Sequence, residues 1–203
     1  MSEGRLLGAV LAGGASRRMG TDKAALAVGG RTMIERAVSA LRPHCGETVV
    51  VSARPETPSG AWRVVADERP ETGPLAGLEA ALAEAGRSGC IGVAVLAVDL
   101  PLVGADAFGR LVDAWRREEG EAREQGTSLA VAAGRSGDPS FEPLCAVYAV
   151  GALEVASRLL DGGERAARAL FETIGGRVVE GVAETGVNVN RPADLTRAEE
   201  RLR

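Results

Sequence analysis

Short, continuously apolar runs alternate along this chain with longer segments of helical periodicity. An unbroken apolar run of four to eight residues is typical of a strand covered on both faces, and apolar residues three and four apart are typical of a helix. The predicted strands of the first half are Leu6–Ala12, Val49–Ser52, Arg63–Ala66 and Ile91–Val98. The predicted helices are Thr32–Leu41, Pro74–Glu84 and Ala105–Arg117. This alternation predicts an α/β fold with a mostly parallel central sheet and helices on both faces.

The alternation of strands and helices becomes less regular beyond residue 126. The charged stretch Arg116–Gly126 is interpreted as a helix end followed by a solvated loop. It is the part of the chain that most resembles a domain boundary. Beyond it, three further strands are expected at Ser128–Ala133, Leu144–Val150 and Arg177–Glu180. Three further helices are expected at Ala152–Leu160, Glu164–Phe171 and Pro192–Leu202.

Composition argues against several classes of function. The chain has 203 residues, a net charge of −4 and only six aromatic residues, so it offers neither a basic surface nor a stacking platform for nucleic acid. A single histidine, His44, excludes sites that need two imidazoles. The three cysteines are too widely spaced for a disulfide framework or a zinc ribbon. No apolar stretch approaches the roughly 20 residues that span a bilayer, so we expect a cytoplasmic protein without a membrane partner.

A glycine-rich, cationic segment follows the first predicted strand. It contains Gly13, Gly14, Arg17, Arg18, Gly20 and Lys23. Glycines allow a close approach of backbone N–H groups to oxyanions, and the three cations favour a polyphosphate ligand. The segment matches neither GxxxxGK[ST] nor GxGxxG. A solvated surface loop is the alternative, but a position after the first strand of an α/β sheet favours binding.

Two aspartates are expected at the carboxyl ends of later strands. Asp99 follows the apolar run Ile91–Val98, and Asp67 follows Val64–Ala66. Ligands of α/β sheets bind at that edge, and Mg²⁺ prefers one or two carboxylates together with phosphate oxygens. Each aspartate has a structural alternative, since Asp99 could cap a turn before Pro101 and Asp67 could be a turn carboxylate.

The segment LAGGASRRMGTDKAAL at residues 11–26 resembles the opening signature of the molybdenum cofactor guanylyltransferases, which attach GMP to molybdopterin. The likeness continues in order over nearly the whole chain. Its further blocks are Asp67, Gly73–Gly77 (GPLAG), Val98–Pro101 (VDLP), Glu142–Leu144 (EPL) and Asn188–Pro192 (NVNRP). Gly13 and the GPLAG block favour guanine over the cytosine of related cytidylyltransferases.

The resemblance implies a Rossmann-like nucleotidyltransferase fold that moves GMP from GTP to molybdenum-bound molybdopterin, releases pyrophosphate and uses Mg²⁺. It implies catalytic roles for Arg17, Lys23 and Asp99, and Asp99 as the metal ligand. The implied nucleotide-binding residues are Leu11, Ala12, Gly13, Gly14, Lys23, Asp67, Gly73 and Asp99. Asn188 and Asn190 are implied to bind the acceptor, although either could instead cap the helix that follows. The resemblance also implies other molybdenum cofactor biosynthesis or delivery proteins as partners.

Under this interpretation, residues 1–203 form a single domain, with residues 1–120 as its nucleotide-binding half and 121–203 as its acceptor-binding half. Two departures concern the acceptor: Glu142 stands where many relatives have Gln, and Ser52-Ala53-Arg54 stands where some have an Asn-rich turn. The rival functions are transfer from CTP or to a sugar phosphate, and nucleotide binding without turnover. His44, Cys90, Cys145, Trp62 and Trp115 are interpreted as structural residues.

Overall fold

A computed structural model of the chain describes residues 4–12, 26–53, 62–69, 72–127, 129–183 and 188–202. The strands are β1 (Leu6–Leu11), β2 (Ala27–Val28), β3 (Arg31–Thr32), β4 (Glu47–Ser52), β5 (Arg63–Ala66), β6 (Gly92–Ala97), β7 (Ala130–Gly134), β8 (Phe141–Ala149) and β9 (Arg177–Val179). The helices are α1 (Met33–Leu41), α2 (Pro74–Arg87), α3 (Ala105–Glu124), α4 (Ala152–Asp161), α5 (Ala167–Thr173) and α6 (Pro192–Glu200), with a short 3₁₀ helix at Arg42–His44.

Seven of these strands form one sheet in the order β5-β4-β1-β6-β8-β7-β9. Strands β5, β4, β1 and β6 are parallel, β8 is antiparallel to both β6 and β7, and β7 is parallel to β9. Strands β7, β8 and β9 therefore complete the sheet that the first half of the chain begins. The expected Rossmann-like α/β fold with a mostly parallel sheet is confirmed.

Helices cover both faces of the sheet. Along β1, Leu6 and Val10 belong to one buried cluster, whereas Leu7, Ala9 and Leu11 belong to the other, because successive side chains of a strand point to opposite faces. Helices α1, α3 and α6 contribute to the first cluster, and α2, α4 and α5 to the second. Each central strand is thus apolar on both faces, which explains its unbroken apolar sequence.

The helix predicted to end at Arg117 is longer than expected, and only residues 125 and 126 of the charged stretch lie beyond it. Helix α3 continues through Glu124, with most of its second half exposed to solvent. Glu, Arg and Ala all have high helix propensity, so this segment remains helical without an apolar face. An ion pair between Glu118 and Arg177 of β9 also holds this part of the helix against the edge of the sheet.

The hairpin of β2 and β3 was not among the predicted elements. Ala27 pairs with Thr32 and Val28 with Arg31 across a Gly29-Gly30 turn, in which both glycines have positive φ (57° and 76°). Two-residue strands show no periodicity, but a Gly-Gly pair is a known signal for such a turn. The hairpin delivers Thr32 to the N-cap of α1, where Glu35 N–H donates to Thr32 Oγ1 at 3.2 Å.

The residues interpreted as structural lie in or beside the core. Trp115 and Cys145 are buried, and Trp62 and Cys90 are half-buried at the margins of the two clusters. His44 Nε2 lies 2.9 Å from the Ala105 carbonyl oxygen, at the start of α3. Among the described residues, no helix is long and apolar enough to cross a membrane.

Candidate active site

The carboxyl ends of four parallel strands meet at one edge of the sheet. Their backbones are joined there by three hydrogen bonds: Ala12 N–H to Val51 O at 2.9 Å, Val98 N–H to Leu11 O at 3.1 Å, and Asp67 N–H to Ser52 O at 3.2 Å. Ala12, Asp67 and Asp99 therefore all follow strand ends at this edge, and the sequence predicted this position for the two aspartates. This is the edge at which open α/β sheets bind their ligands.

The two aspartates stand apart along the edge. Asp67 follows β5 and Asp99 follows β6, and these strands are separated by β4 and β1. Three inter-strand spacings amount to about 14 Å, which is too far for both carboxylates to bind one small cation. If both contact the same ligand, they contact different parts of an extended molecule.

Asp67 is a turn carboxylate, which agrees with the structural interpretation of its sequence position. Its Oδ1 accepts the Arg69 N–H at 3.0 Å. Partial burial raises the pKa of Asp67, the Arg69 hydrogen bond opposes that effect, and the nearby Glu79 carboxylate adds to it. A carboxylate has about four lone-pair sites, so this turn leaves acceptor capacity for a ligand.

The loop that carries Asp67 is fixed to two helices. Arg69 Nε pairs with Glu79 Oε2 of α2 at 3.1 Å, and Arg69 Nη1 with Asp161 Oδ1 of α4 at 2.7 Å. Ser157 of α4 donates to Glu79 Oε1 at 2.7 Å. This network holds the start of the loop in one place relative to the sheet.

Helix α2 begins at Pro74, as predicted, and its first turn contacts the chain before α5. Gly73 has φ +93°, and a Cβ there would lie 2.9 Å from the carbonyl oxygen of Arg165. The same oxygen accepts the Leu75 N–H at 3.1 Å. The Leu75 amide of the first turn is therefore not available to a ligand, because the chain before α5 packs against this helix end.

Leu11 also has a structural role. Its side chain is buried, with its methyl groups facing Gly77 of α2, and its carbonyl oxygen is engaged by Val98. Ala12 is the first residue beyond the strand. Gly13, Gly14, Arg17 and Lys23 lie outside the described residues, so the structure places only the two ends of their segment, Ala12 and Leu26.

Asp99 is connected to the C-terminal segment. It is half-buried in the turn after β6, and its carbonyl oxygen accepts the Val189 N–H at 2.9 Å. Residues predicted for the nucleotide and for the acceptor, Asp99 and Asn188, are thereby brought together. Helix α6 has Arg191 at its N-cap, so neither asparagine takes that position. Instead, Asp194 Oδ2 accepts the N–H groups of Asn190 (3.0 Å) and Arg191 (2.8 Å).

Glu142 joins this site through an irregularity in β8. Ala132 of β7 pairs with Ala146, but the next residue, Ala133, pairs with Glu142, so Pro143–Cys145 form a bulge. Pro143 has no N–H to donate, and the Leu144 N–H donates to Glu142 Oε1 at 3.3 Å. Bulges of this kind redirect a side chain.

Glu142, Asp99 and Asn188 form what we call the Asp99 cluster. The pairing of β6 with β8 ends at Leu96 and Cys145, and beyond it the Asp99 carboxylate lies close enough to Glu142 to act on its charge. Burial raises the pKa of Glu142 and so does the charge of Asp99, while hydrogen bonds from the Leu144 backbone and the Asn188 side chain lower it. The sequence identified Glu142 only as a departure and assigned it no role. A Glu-Pro pair inside an apolar strand was the available signal.

A cavity of about 220 Å³ opens beside this cluster. Its lining residues are Leu100, Val103, Arg135, Ser140, Phe141, Glu142, Cys145, Ala183 and Asn188. The Phe141 ring packs against Phe171, with 4.4 Å between centroids, and beneath the Arg168 guanidinium at 4.0 Å. Those contacts fix the end of β8 that carries Glu142.

The donors in the cluster are compatible with a magnesium ion. Mg²⁺ is commonly held by one or two carboxylates, with phosphate oxygens and water as its other ligands. The Asp99 carboxylate at the strand end provides oxygen donors of this type. Within the described ranges, no group of three or more His, Cys, Asp or Glu side chains is placed to hold a metal.

Comparisons with known proteins agree with this architecture. The model of the MobA-like NTP transferase domain matches residues 8–178. A probable molybdenum cofactor guanylyltransferase of Opitutus terrae is 45% identical over 162 residues, covering 79% of this chain and 74% of that protein. The molybdenum cofactor guanylyltransferase of Cereibacter sphaeroides is 35% identical over 210 residues, covering 98% of each chain.

Solved structures show the same fold. Molybdopterin-guanine dinucleotide biosynthesis protein A of Archaeoglobus fulgidus superposes with a TM-score of 0.74 at 24% identity, covering 97% of this chain and 98% of that one. The 2-C-methyl-D-erythritol 4-phosphate cytidylyltransferase of Thermus thermophilus does so with a TM-score of 0.68 at 19% identity, covering 96% and 97%. Since the family match spans residues 8–178 and the two sequence relatives cover 79% and 98% of the chain, this chain belongs to the family of MobA-like NTP transferase domains and is a nucleotidyltransferase.

Proposed function

We propose that this nucleotidyltransferase moves GMP from GTP to molybdenum-bound molybdopterin. A phosphate oxygen of the acceptor attacks the α-phosphorus, the bond from that phosphorus to the bridging oxygen breaks, and pyrophosphate leaves with the electron pair. The observation that carries the proposal is the meeting of three parts at Asp99: the ends of β1 and β6, the segment from Asn188 to Asn190, and the cavity beside Glu142.

The nucleotide occupies the side of Asp99 that faces β1, β4 and β5. Ala12, Gly13 and Gly14 approach the nucleoside, with Leu11 shaping the end of β1 and Gly73 the start of α2. Asp67 follows β5, which lies three inter-strand spacings, or about 14 Å, from β6, and it therefore contacts the nucleoside rather than the reacting phosphate. The names of the two sequence relatives support guanine as the base.

Phosphate binding falls to Arg17 and Lys23 in the glycine-rich segment. Lys23 stabilises the charge that builds on the departing pyrophosphate, and Arg17 holds the triphosphate in line. Transfer of this kind needs little covalent chemistry from the protein, because positioning and charge stabilisation dominate.

Asp99 would hold Mg²⁺ together with phosphate oxygens. The ion, when bound, neutralises negative charge on the phosphates. Asp99 itself fixes the distance between the nucleotide side and the acceptor side, because its backbone binds Val189 while its carboxylate lies beside Glu142.

Asn188 and Asn190 bind the acceptor. On this proposal, residues 1–120 and 121–203 act as nucleotide and acceptor halves of a single domain, in the cytoplasm, with cofactor biosynthesis or delivery proteins as partners. Both halves contribute strands to the one sheet. In this proposal, β8 and the segment before α6, which both belong to the second half, hold the acceptor.

Acceptor-dependent release of pyrophosphate tests the function. Purified protein with GTP, Mg²⁺ and molybdenum-bound molybdopterin is expected to release one pyrophosphate per guanine dinucleotide formed, and none without acceptor. GTP is expected to bind more tightly than CTP in calorimetry. Tighter binding of CTP would contradict the choice of base, and GTP binding without acceptor-dependent release would indicate a nucleotide-binding module.

A further inference from the structure

The cavity beside Glu142 lies on the opposite side of Asp99 from Asp67. In the sheet, β6 separates the strands that end near Asp67 from β8, which carries Glu142. A nucleotide that extends from Asp99 toward Asp67 leaves this cavity to a second ligand. The inference below rests on the proposed function for the identity of that ligand.

The cavity has the dimensions of a ring-binding subsite. Its volume of about 220 Å³ is below the roughly 300–1,000 Å³ of pockets for drug-sized ligands, so it suits one fused ring system better than a whole nucleotide. Leu100, Val103 and Ala183 give it aliphatic walls against which a flat ring can lie. The Phe141 ring is already packed against Phe171 and Arg168, so it serves as support and not as a stacking surface.

Glu142 supplies hydrogen-bond acceptors at this cavity. Two of its lone-pair sites receive the Leu144 N–H and the Asn188 amide, out of about four that a carboxylate has. The remaining capacity matches a pair of adjacent N–H donors, since carboxylates bind such pairs through two parallel hydrogen bonds. A 2-amino-4-oxopyrimidine ring presents that pair, with one N–H on the ring and one on the amino group.

We infer that Glu142 recognises the 2-amino edge of the acceptor's pterin ring, with Asn188 as the residue that positions the Glu142 carboxylate. Guanine carries the same edge, so GTP is the other source of this chemistry. The position of Glu142 on β8, beyond Asp99 from the nucleotide side, assigns it to the pterin.

Binding of two small probes tests the inference without any transfer reaction. Pterin has the 2-amino group, whereas lumazine has an oxygen there that would face the carboxylate. We expect the native protein to bind pterin at least 10-fold more tightly than lumazine, measured by the change in ligand fluorescence. Glu142→Gln is expected to weaken pterin binding about 10- to 100-fold, because a neutral amide replaces the charged acceptor. Glu154→Gln, an exposed change on α4, is expected to leave both affinities unchanged.

Each other outcome overturns the inference. If Glu142→Gln weakens GTP binding in calorimetry while pterin binding is kept, the carboxylate faces guanine. If the native protein fails to prefer pterin up to millimolar concentration, or the variant binds pterin as the native protein does, Glu142 only shapes the bulge. Thermal unfolding reports whether the Glu142→Gln variant is folded. If the variant is unfolded, the relative affinity of the native protein for pterin and lumazine still tests the inference. Native protein that prefers pterin but transfers no GMP would refute the proposed function and leave the Glu142 assignment standing.

Discussion

Asp99 is the residue on which the proposed chemistry depends most. Replacing Asp99 by Asn should lower turnover by about 10²- to 10³-fold, as loss of one preorganised charge-stabilising group does. The fold should be kept, because the backbone acceptor for Val189 and the turn after β6 do not need the charge. Steady-state release of pyrophosphate measures the effect. Asp113→Asn, the same change at an exposed position of α3, is the control. Turnover within a few-fold of the native rate would exclude Asp99 from the reaction.

Lys23 offers an unusually selective chemical test, because it is the only lysine in the sequence. A GTP analogue with a reactive acyl group on its terminal phosphate should acylate Lys23 if that side chain lies at the triphosphate. Mass spectrometry is expected to find the modification at Lys23, suppressed by excess GTP. Lys23→Ala should remain folded and lose turnover by about 10²- to 10³-fold. Unimpaired guanylyl transfer by this variant, or labelling that GTP does not suppress, would show that Lys23 has no such role.

Among single residues, the sequence predicted those that follow apolar strands and missed Glu142. Asp67 and Asp99 could be placed because a continuous apolar run shows where a buried strand ends. The role of Glu142 depends on a bulge and on pairing with β6, about 50 residues earlier in the chain. Local patterns do not report such non-local pairings. The Arg165 carbonyl at Gly73 could not be predicted for the same reason.

At the level of elements, the start of α2 depends on Gly73. Gly73→Ala should destabilise the protein by about 1–3 kcal/mol, because an alanine is strained at the positive φ of this position. The close contact of its Cβ with the Arg165 carbonyl oxygen should add to that loss. Gly163→Ala is the matched control, since Gly163 has φ +92° but open space at its Cβ position. Denaturant midpoints at constant slope should fall further for Gly73→Ala. Equal losses in the two variants would mean that the α5 approach does not restrict this helix end.

The opposite edge of the sheet is held by a charged network. Glu84 of α2 is buried and pairs with Arg63 of β5 at 2.7 Å and with Arg87 at 2.7 Å. Burial alone would raise the pKa of Glu84, but the hydrogen bonds and charges of Arg87 and Arg63 outweigh it and lower the pKa below 4.5. A carboxylate whose pKa is lower in the folded than in the unfolded state stabilises the protein at pH values above the unfolded-state pKa. That stabilisation is lost as the pH falls through the folded-state pKa.

Glu84→Gln should therefore reduce the free energy of unfolding by about 1–3 kcal/mol at pH 7. The difference from the native protein should shrink as the pH is lowered from about 5, because protonation of Glu84 removes the same interactions. Urea unfolding across a pH series measures this, with the exposed Glu121→Gln as control. A difference that stays constant down to pH 3 would show that the ionised form of Glu84 contributes nothing.

The elements themselves were largely predictable. Central strands buried on both faces and helices with one apolar face have distinct sequence periods, and the strand Arg63–Ala66 agrees with β5 at both ends. The failures have the same origin. The two-residue strands β2 and β3 are too short to show a period, and the second half of α3 is exposed on most of its surface, so no apolar stripe reveals it.

At the scale of the whole molecule, the proposed function places the nucleotide and the acceptor on opposite sides of Asp99 in the sheet order. Strands β5, β4 and β1 lie on one side of β6, and β8 lies on the other. Nucleotide and acceptor can then approach Asp99 from opposite directions, and an in-line displacement further requires the acceptor oxygen to lie opposite the departing pyrophosphate. The side of β6 that faces away from β1 is formed by β8. This strand lies antiparallel to β6, and its bulge extends past the end of β6.

A crystal structure with a non-hydrolysable GTP analogue and Mn²⁺ tests this arrangement most directly. Anomalous scattering would locate the ion. We expect the peak at the Asp99 carboxylate, the triphosphate beside Lys23, the guanine toward Asp67, and no guanine in the cavity beside Glu142. An ion and triphosphate away from Asp99, or a guanine bound against Glu142, would contradict the account.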